Sequence, residues 1–204
     1  MADDEARDDR EAAMRAACAA TRWDQAATLV LGAYGQELVE YLVVLARSEA
    51  DGGDAFSLFA ERLWRGLPAF RWDASMRTWC YVLARRALAD VKRAGPARRA
   101  RLAQPLSETP ELDALAVAVR TRTITFLRSE ARDALAKVRA ALDADDQELL
   151  VLRVDRKLPW RDVARIMARD DELDPAGLNR RAATLRKRFE VLKGRLRDAI
   201  ARAR

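Results

Sequence analysis

The sequence predicts an all-α protein made of two small helical domains joined by a linker. Three observations carry that prediction. Only eight glycines and six prolines interrupt 204 residues, while alanine, the best helix former, makes up about a fifth of the chain. Apolar residues recur every three or four positions through most of the chain, the spacing of one helix face. Hydrophobic residues at 50% and charged residues at 34% are ordinary for a folded domain, and the length suits one or two cores.

Residues 1–24 read as a charged, alanine-rich extension with no site in it; they are a solvated helix or a frayed end. The start MADDEARDDRE has no apolar core and is not a signal peptide. From Ala27 to Arg47, Leu31, Tyr34, Leu38, Tyr41, Leu42 and Leu45 follow helical spacing. The longest apolar run there, Tyr41 to Ala46, is too short to span a bilayer, so a cytoplasmic chain with reduced thiols and no membrane partner is expected. Asp51-Gly52-Gly53-Asp54 breaks the pattern and is suited to cap a new helix. That helix carries Phe56, Phe59, Leu63 and Trp64 and is expected to end near Gly66-Leu67-Pro68. Ala69 to Met76 reads as a loop. A third helix over Thr78–Arg93 places Trp79, Val82, Leu83, Ala87 and Val91 on its apolar side, and Gly95-Pro96 stops it. These pieces form a domain over 25–96.

A linker is assigned to 97–126. Its first part, ARRARLAQPLSETP, lacks periodicity and holds two prolines; a helical pattern resumes at Leu112 but weakens at the β-branched run Thr121 to Thr125. The second domain is assigned to 127–204, with helices at about 130–141, 144–154, 159–169 and a long last one ending near 202. Leu185, Phe189, Leu192, Leu196 and Ile200 give that last helix one apolar face. Two short helices and a turn before a basic helix fit a helix-turn-helix, whose last helix enters a major groove. A plain three-helix bundle with a solvated face fits the same pattern.

The chain contains no histidine, which excludes Ser-His-Asp and Cys-His nucleophiles and histidine metal ligands. Two cysteines, Cys18 and Cys80, build neither a disulfide framework nor an all-cysteine zinc site. No enzymatic activity, cofactor or metal is expected. The net charge of +6 conceals a segregation. Residues 1–61 carry −8, 62–101 carry +9, 102–152 carry −3 and 153–204 carry +8. Two basic blocks separated by acidic ones suit two contacts with nucleic acid, although an arginine-rich composition clusters by chance as well.

Between Phe70 and Arg93 an aromatic and arginine-rich loop leads into a helix with basic turns. Rings beside basic groups suit splayed bases: stacking supplies affinity and the cations hold the backbone. Phe70 reads better as a residue closing a small core, and Trp79 fits both roles.

This block resembles the second region of extracytoplasmic-function (ECF) sigma factors, which reads close to F-R-G-D-A-S-L-R-T-W-L-Y-R-I-A-R-N-x-x-x-D-x-x-R-R. The matching residues include Phe70, Arg71, Asp73, Ser75, Arg77, Thr78, Trp79, Tyr81, Ala84, Arg85, Asp90 and Arg93. Upstream, Asp51, Asp54, Arg62, Trp64 and Arg65 resemble the family's D-A-E-D…R-x-W-R helix. Leu142–Arg153, Trp160–Met167 and Thr184–Leu196 resemble segments of its fourth region. Together these cover about 130 residues in the right order.

The resemblance implies a protein that binds core RNA polymerase and directs it to promoter DNA. Its implied contacts with the proximal element and the melted strand are Arg71, Trp72, Asp73, Ser75, Arg77, Trp79, Arg85, Arg86, Lys92 and Arg93. Arg180, Arg181, Thr184, Arg186, Lys187 and Arg188 are implied at the distal duplex element. Asp51, Asp54, Glu61, Arg62 and Trp64 are implied to face the polymerase, and an anti-sigma protein is implied as a holding partner. The chain departs from the family in several places. Ser57-Leu58 replaces the usual Gln-Glu, Trp72 a common Gly, and Arg86 a common Asn. Sixteen residues separate Met167 from Thr184, about twice the usual turn. The acidic run Asp170 to Asp174 is better read as a loop and an N-cap at Asp174, before Pro175, than as a Mg²⁺ site. The alternative function is a helix-turn-helix regulator that binds duplex DNA without polymerase; a metal-dependent nuclease finds no support at fixed spacing.

Overall fold

The structure is a computed structural model. It describes residues 2–94, 110–130, 141–168 and 174–202, with side chains over 8–94, 113–123, 141–168 and 174–198. The protein is all-helical, with no strand among the described residues. It divides into two compact units, 1–128 and 129–204.

Unit 1 begins with α1 (Ala2–Ala19), α2 (Trp23–Ala46) and α3 (Glu49–Gly66). A single 3-10 turn over Leu67–Ala69 leads through an irregular loop into α4 (Met76–Arg93), and α5 (Pro110–Glu130) follows. Helix α2 is the central element and packs against α1, α3 and α4. Its core positions include Leu31, Leu38, Tyr41 and Leu42. By length and composition it is the one helix among the described residues apolar enough to cross a membrane, a feature that the shorter run Tyr41–Ala46 understates; half of its apolar window is buried inside the unit. Tyr41 meets Tyr81 of α4 edge-on at 5.0 Å, and Phe56 packs beside Phe59 of α3 at 5.6 Å.

The α2–α3 junction differs from the expected break at Asp51–Asp54. Arg47 takes the left-handed conformation (φ 57°) and ends α2, and the Ser48 hydroxyl accepts the Asp51 N–H as the N-cap. Gly52 and Gly53 therefore lie inside α3. A Cβ on Gly52 would stand 2.8 Å from the Val43 Cα, so this glycine permits a close helix crossing and does not mark a loop.

Two further segments pack onto the unit as helices. The extension is a docked helix, with Met14 and Ala17 of α1 buried. Residues 110–126, assigned to a linker, are helical: Ala116, Val119 and Thr123 are buried, Val119 sits on Gly35, and Arg120 donates to the Ser57 hydroxyl at 3.0 Å. Residues 97–109 lie outside the described residues, as do the expected helix over 131–140 and the acidic run over 169–173. Cys80 is buried in α4 and Cys18 is half-buried in α1.

Unit 2 contains α6 (Ala144–Leu150), which runs on as a π-turn over Val151–Asp155, then α7 (Trp160–Ile166) and α8 (Pro175–Arg202). Leu149, Leu152, Val163, Ile166, Leu178, Leu185 and Leu192 form its core. Asp174 caps α8 as expected, accepting the Gly177 N–H at 2.6 Å ahead of Pro175. Trp160 of α7 meets Phe189 of α8 edge-on at 5.6 Å.

Candidate nucleic-acid interface

The first surface is built on the loop between α3 and α4. Leaving the 3-10 turn, the chain is extended at Phe70 and turns through Trp72 with a left-handed φ of 61°. That conformation is uncommon for a bulky residue. Ser75 then caps α4: its hydroxyl accepts the Thr78 N–H and donates to the Thr78 Oγ1. The turn gathers three rings into one stack. Phe70 lies 4.8 Å from Trp72 and 4.4 Å from Trp79, the latter pair nearly parallel at 21°. All three rings are half-buried, so Phe70 belongs to a surface stack and does not close the core. Gly66 lies under Trp79: a Cβ there would sit 3.0 Å from the indole. On Trp72, the Arg15 guanidinium of α1 lies 4.2 Å from the ring centroid.

The basic residues of this block divide into two groups. Arg71 and Asp73 are exposed beside the stack, as is Arg86 further along α4; Arg85 is half-buried, and both Arg85 and Arg86 also engage other groups of the protein. The rest also make contacts within the fold. Arg77 turns inward onto Glu37 of α2, with Nε–Oε1 at 2.8 Å and Nη2–Oε2 at 2.7 Å; the two side chains are only 13% and 19% exposed. Burial lowers the Arg77 pKa, but the hydrogen bond and charge of Glu37 outweigh it and hold the guanidinium above its ordinary value. Lys92 donates to the Leu45 carbonyl at 2.9 Å and so closes the end of α2. Arg93 pairs with Asp90, which also pairs with Arg62 of α3. Burial pushes the Asp90 carboxyl up, yet the two guanidiniums prevail and hold it below the usual range.

The residues assigned to the polymerase side lie along α3 and share no single environment. Arg62 is taken by Asp90, and Glu61 pairs with Arg65 one turn on. The Trp64 indole donates to Asp24 at 2.8 Å and borders an open recess of about 440 Å³ with Thr21, Arg22, Trp23 and Gln25. Asp51 and Asp54 are half-buried in the first turns of α3.

The second surface lies on α8. Arg180, Thr184, Lys187 and Val191 are exposed at helical spacing and form one solvent-facing stripe, with Val191 57% exposed. Arg186 is exposed to one side, 5.9 Å from the Trp160 ring. Two of the six assigned residues also make contacts within unit 2. Arg181 donates to the Met167 carbonyl at the end of α7. Arg188 reaches the start of α6, with Nε 2.5 Å from Asp146, Nη2 3.0 Å from Asp143 and Nη1 3.5 Å from Asp145. The Asp146 hydrogen bond chiefly raises the Arg188 pKa; the Asp146 N–H chiefly lowers that of the Asp143 cap. The sequence reading missed Glu11 and Arg15 of α1, Glu37 as the partner of Arg77, and Val191 in the α8 stripe.

Neither protein-family models, nor curated proteins, nor solved structures match this chain.

Proposed function

We propose that the protein is an alternative sigma factor of the ECF type, without enzymatic activity of its own, working in the cytoplasm. Unit 1 acts as the region that engages the proximal promoter element and the melted strand. Unit 2 acts as a helix-turn-helix, with α8 as the helix that reads the distal duplex element. The observation that carries this reading is the half-exposed stack of Trp72, Phe70 and Trp79 beside Arg71. Stacked rings left in contact with water are the platform that unpaired bases use, and every base has a face to offer them. The left-handed backbone at Trp72 gives further support, because it falls where the resembled family carries glycine.

On this reading Arg71, Asp73 and the three rings meet the displaced strand, while Arg85 and Arg86 stand near its phosphates. Arg180, Thr184 and Lys187 face the duplex, with Arg186 at the flank. Phosphate contacts supply salt-sensitive affinity and few side chains carry selectivity. The polymerase is met through Asp51, Asp54, Glu61 and Trp64, and an anti-sigma protein holds the free factor. The test combines purified core polymerase with the protein on a library of random promoters. Start-site-specific transcripts and core binding are expected; the absence of both overturns the proposal. A second reading, a duplex-binding regulator without polymerase, draws on the exposed basic stripe of a unit that is compact by itself. A specific footprint of the protein alone, with no core binding, would establish it instead.

A further inference from the structure

We propose that α1 is an intramolecular mask over the aromatic loop, and that the free protein holds its single-strand surface partly closed. The inference rests on the reading of the loop as a nucleic-acid interface and concerns the regulation of that surface. Two side chains one helical turn apart on α1 reach the same short segment. The Glu11 carboxylate accepts the Met76 N–H at 2.6 Å, at the first turn of α4. The Arg15 guanidinium covers a face of Trp72 at 4.2 Å. Met14 and Ala17, between and beyond them, are buried and seat the helix.

Each contact resembles one that a nucleic-acid strand would make. A carboxylate on the free N–H groups at a helix start stands where a phosphate oxygen is favoured, and a flat cation on an indole stands where a base would stack. Helix α1 carries six acidic and three basic residues, so it also sets negative charge beside the arginine-rich loop. A strand approaching the loop meets a surface already matched by the protein's own groups. Its apparent affinity is reduced by the fraction of molecules in which α1 is closed. The contacts are few and half-exposed and the buried seat is small, so opening of α1 is a local event and leaves the α2–α3–α4 core in place.

The experiment compares the full chain with the double variant Glu11→Ala/Arg15→Ala. The net charge is unchanged, alanine preserves the helix, and Met14 and Ala17 remain. Binding of a fluorescein-labelled oligothymidylate is measured by anisotropy, and hydrogen exchange is followed over residues 8–19. The variant is expected to bind roughly tenfold tighter, the factor that follows when one hydrogen bond and one cation–π contact no longer favour the closed state. Exchange in α1 is expected to rise with it. Faster exchange with equal or weaker binding overturns the mask and makes Arg15 part of the interface. Unchanged exchange overturns it too. If neither protein binds the oligonucleotide, the single-strand reading itself fails, and the mask with it. Should thermal melting show the double variant unfolded, Glu11→Gln/Arg15→Gln carries the same comparison with the net charge again unchanged.

Discussion

Tyr34 of α2 is 4% exposed, and its hydroxyl lies buried without a hydrogen-bond partner among the described residues. Burial, chiefly, and the carboxylates of Glu11 and Glu37 push its pKa from 10.0 up to about 12. A buried hydroxyl that satisfies no partner costs its desolvation, so Tyr34→Phe is expected to raise stability by about 1 kcal/mol in urea denaturation at neutral pH. The pH dependence has a definite sign. Below pH 10 the phenol is protonated in both states and contributes no slope. Between about 10 and 12 the unfolded chain releases a proton that the folded chain retains, so stability falls as pH rises. Tyr34→Phe is expected to remove that share of the alkaline loss. A second pair of neighbouring residues separates fold from binding. Arg188 neutralises Asp146, whose side chain is 6% exposed, so Arg188→Ala is expected to cost about 1–3 kcal/mol of stability, the lower end favoured by its own contact with water. Lys187, exposed on the α8 stripe, is expected to leave stability within about 0.5 kcal/mol on mutation to alanine. On the proposed function, that substitution lowers the salt slope of duplex binding by about 1.

At the scale of elements, the α2–α3 crossing offers a contrast between glycines. Alanine is a better helix former than glycine by about 1 kcal/mol, which favours substitution wherever space allows. At Gly32 nothing lies within 4 Å of a new Cβ, so Gly32→Ala is expected to raise the melting temperature. At Gly52 the Cβ meets the Val43 backbone at 2.8 Å, which cannot rotate away. Overpacking of this kind costs about 1–3 kcal/mol and outweighs the propensity gain, so Gly52→Ala is expected to lower the melting temperature. The same position shows where sequence reading runs out. Apolar spacing located α2, α3, α4 and the α7–α8 pair to within a few residues, and the Asp174-Pro175 start of α8 was visible in its chemistry. Gly52-Gly53 looked like a break because close approach to another helix leaves no local mark. The α5 stripe of Ala116, Val119 and Thr123 is too small and mixed to stand out from a linker. The sites blurred for a related reason. An arginine reads alike whether it faces water or Glu37, its partner 40 residues away. The internal partners of Arg77, Lys92, Arg181 and Arg188 leave no local mark in the sequence, and neither does the ring that Arg15 covers.

Over the whole chain, the two basic blocks are smaller as surfaces than as sequence. Part of the positive charge within 62–101 is neutralised by Glu37 and Asp90, and part of that within 153–204 by the aspartates that open α6. Other cations of each block remain outward: Arg71 and Arg86 with the ring stack on one unit, and Arg180, Arg186 and Lys187 on the other, are among the exposed ones. The two sulfurs are distributed just as unevenly. Cys80 is sealed in the core with its thiol pushed well above its ordinary value by burial, whereas Cys18, half-buried on the last turn of α1, is also raised by burial but reaches the surface. The sealed thiol is out of reach in the folded chain, so a maleimide is directed to the half-buried one. That position rides on the helix proposed to cover the loop. On the proposed mask, the wild-type protein carries its own stopwatch for the opening of α1, readable from labelling kinetics with no engineered probe.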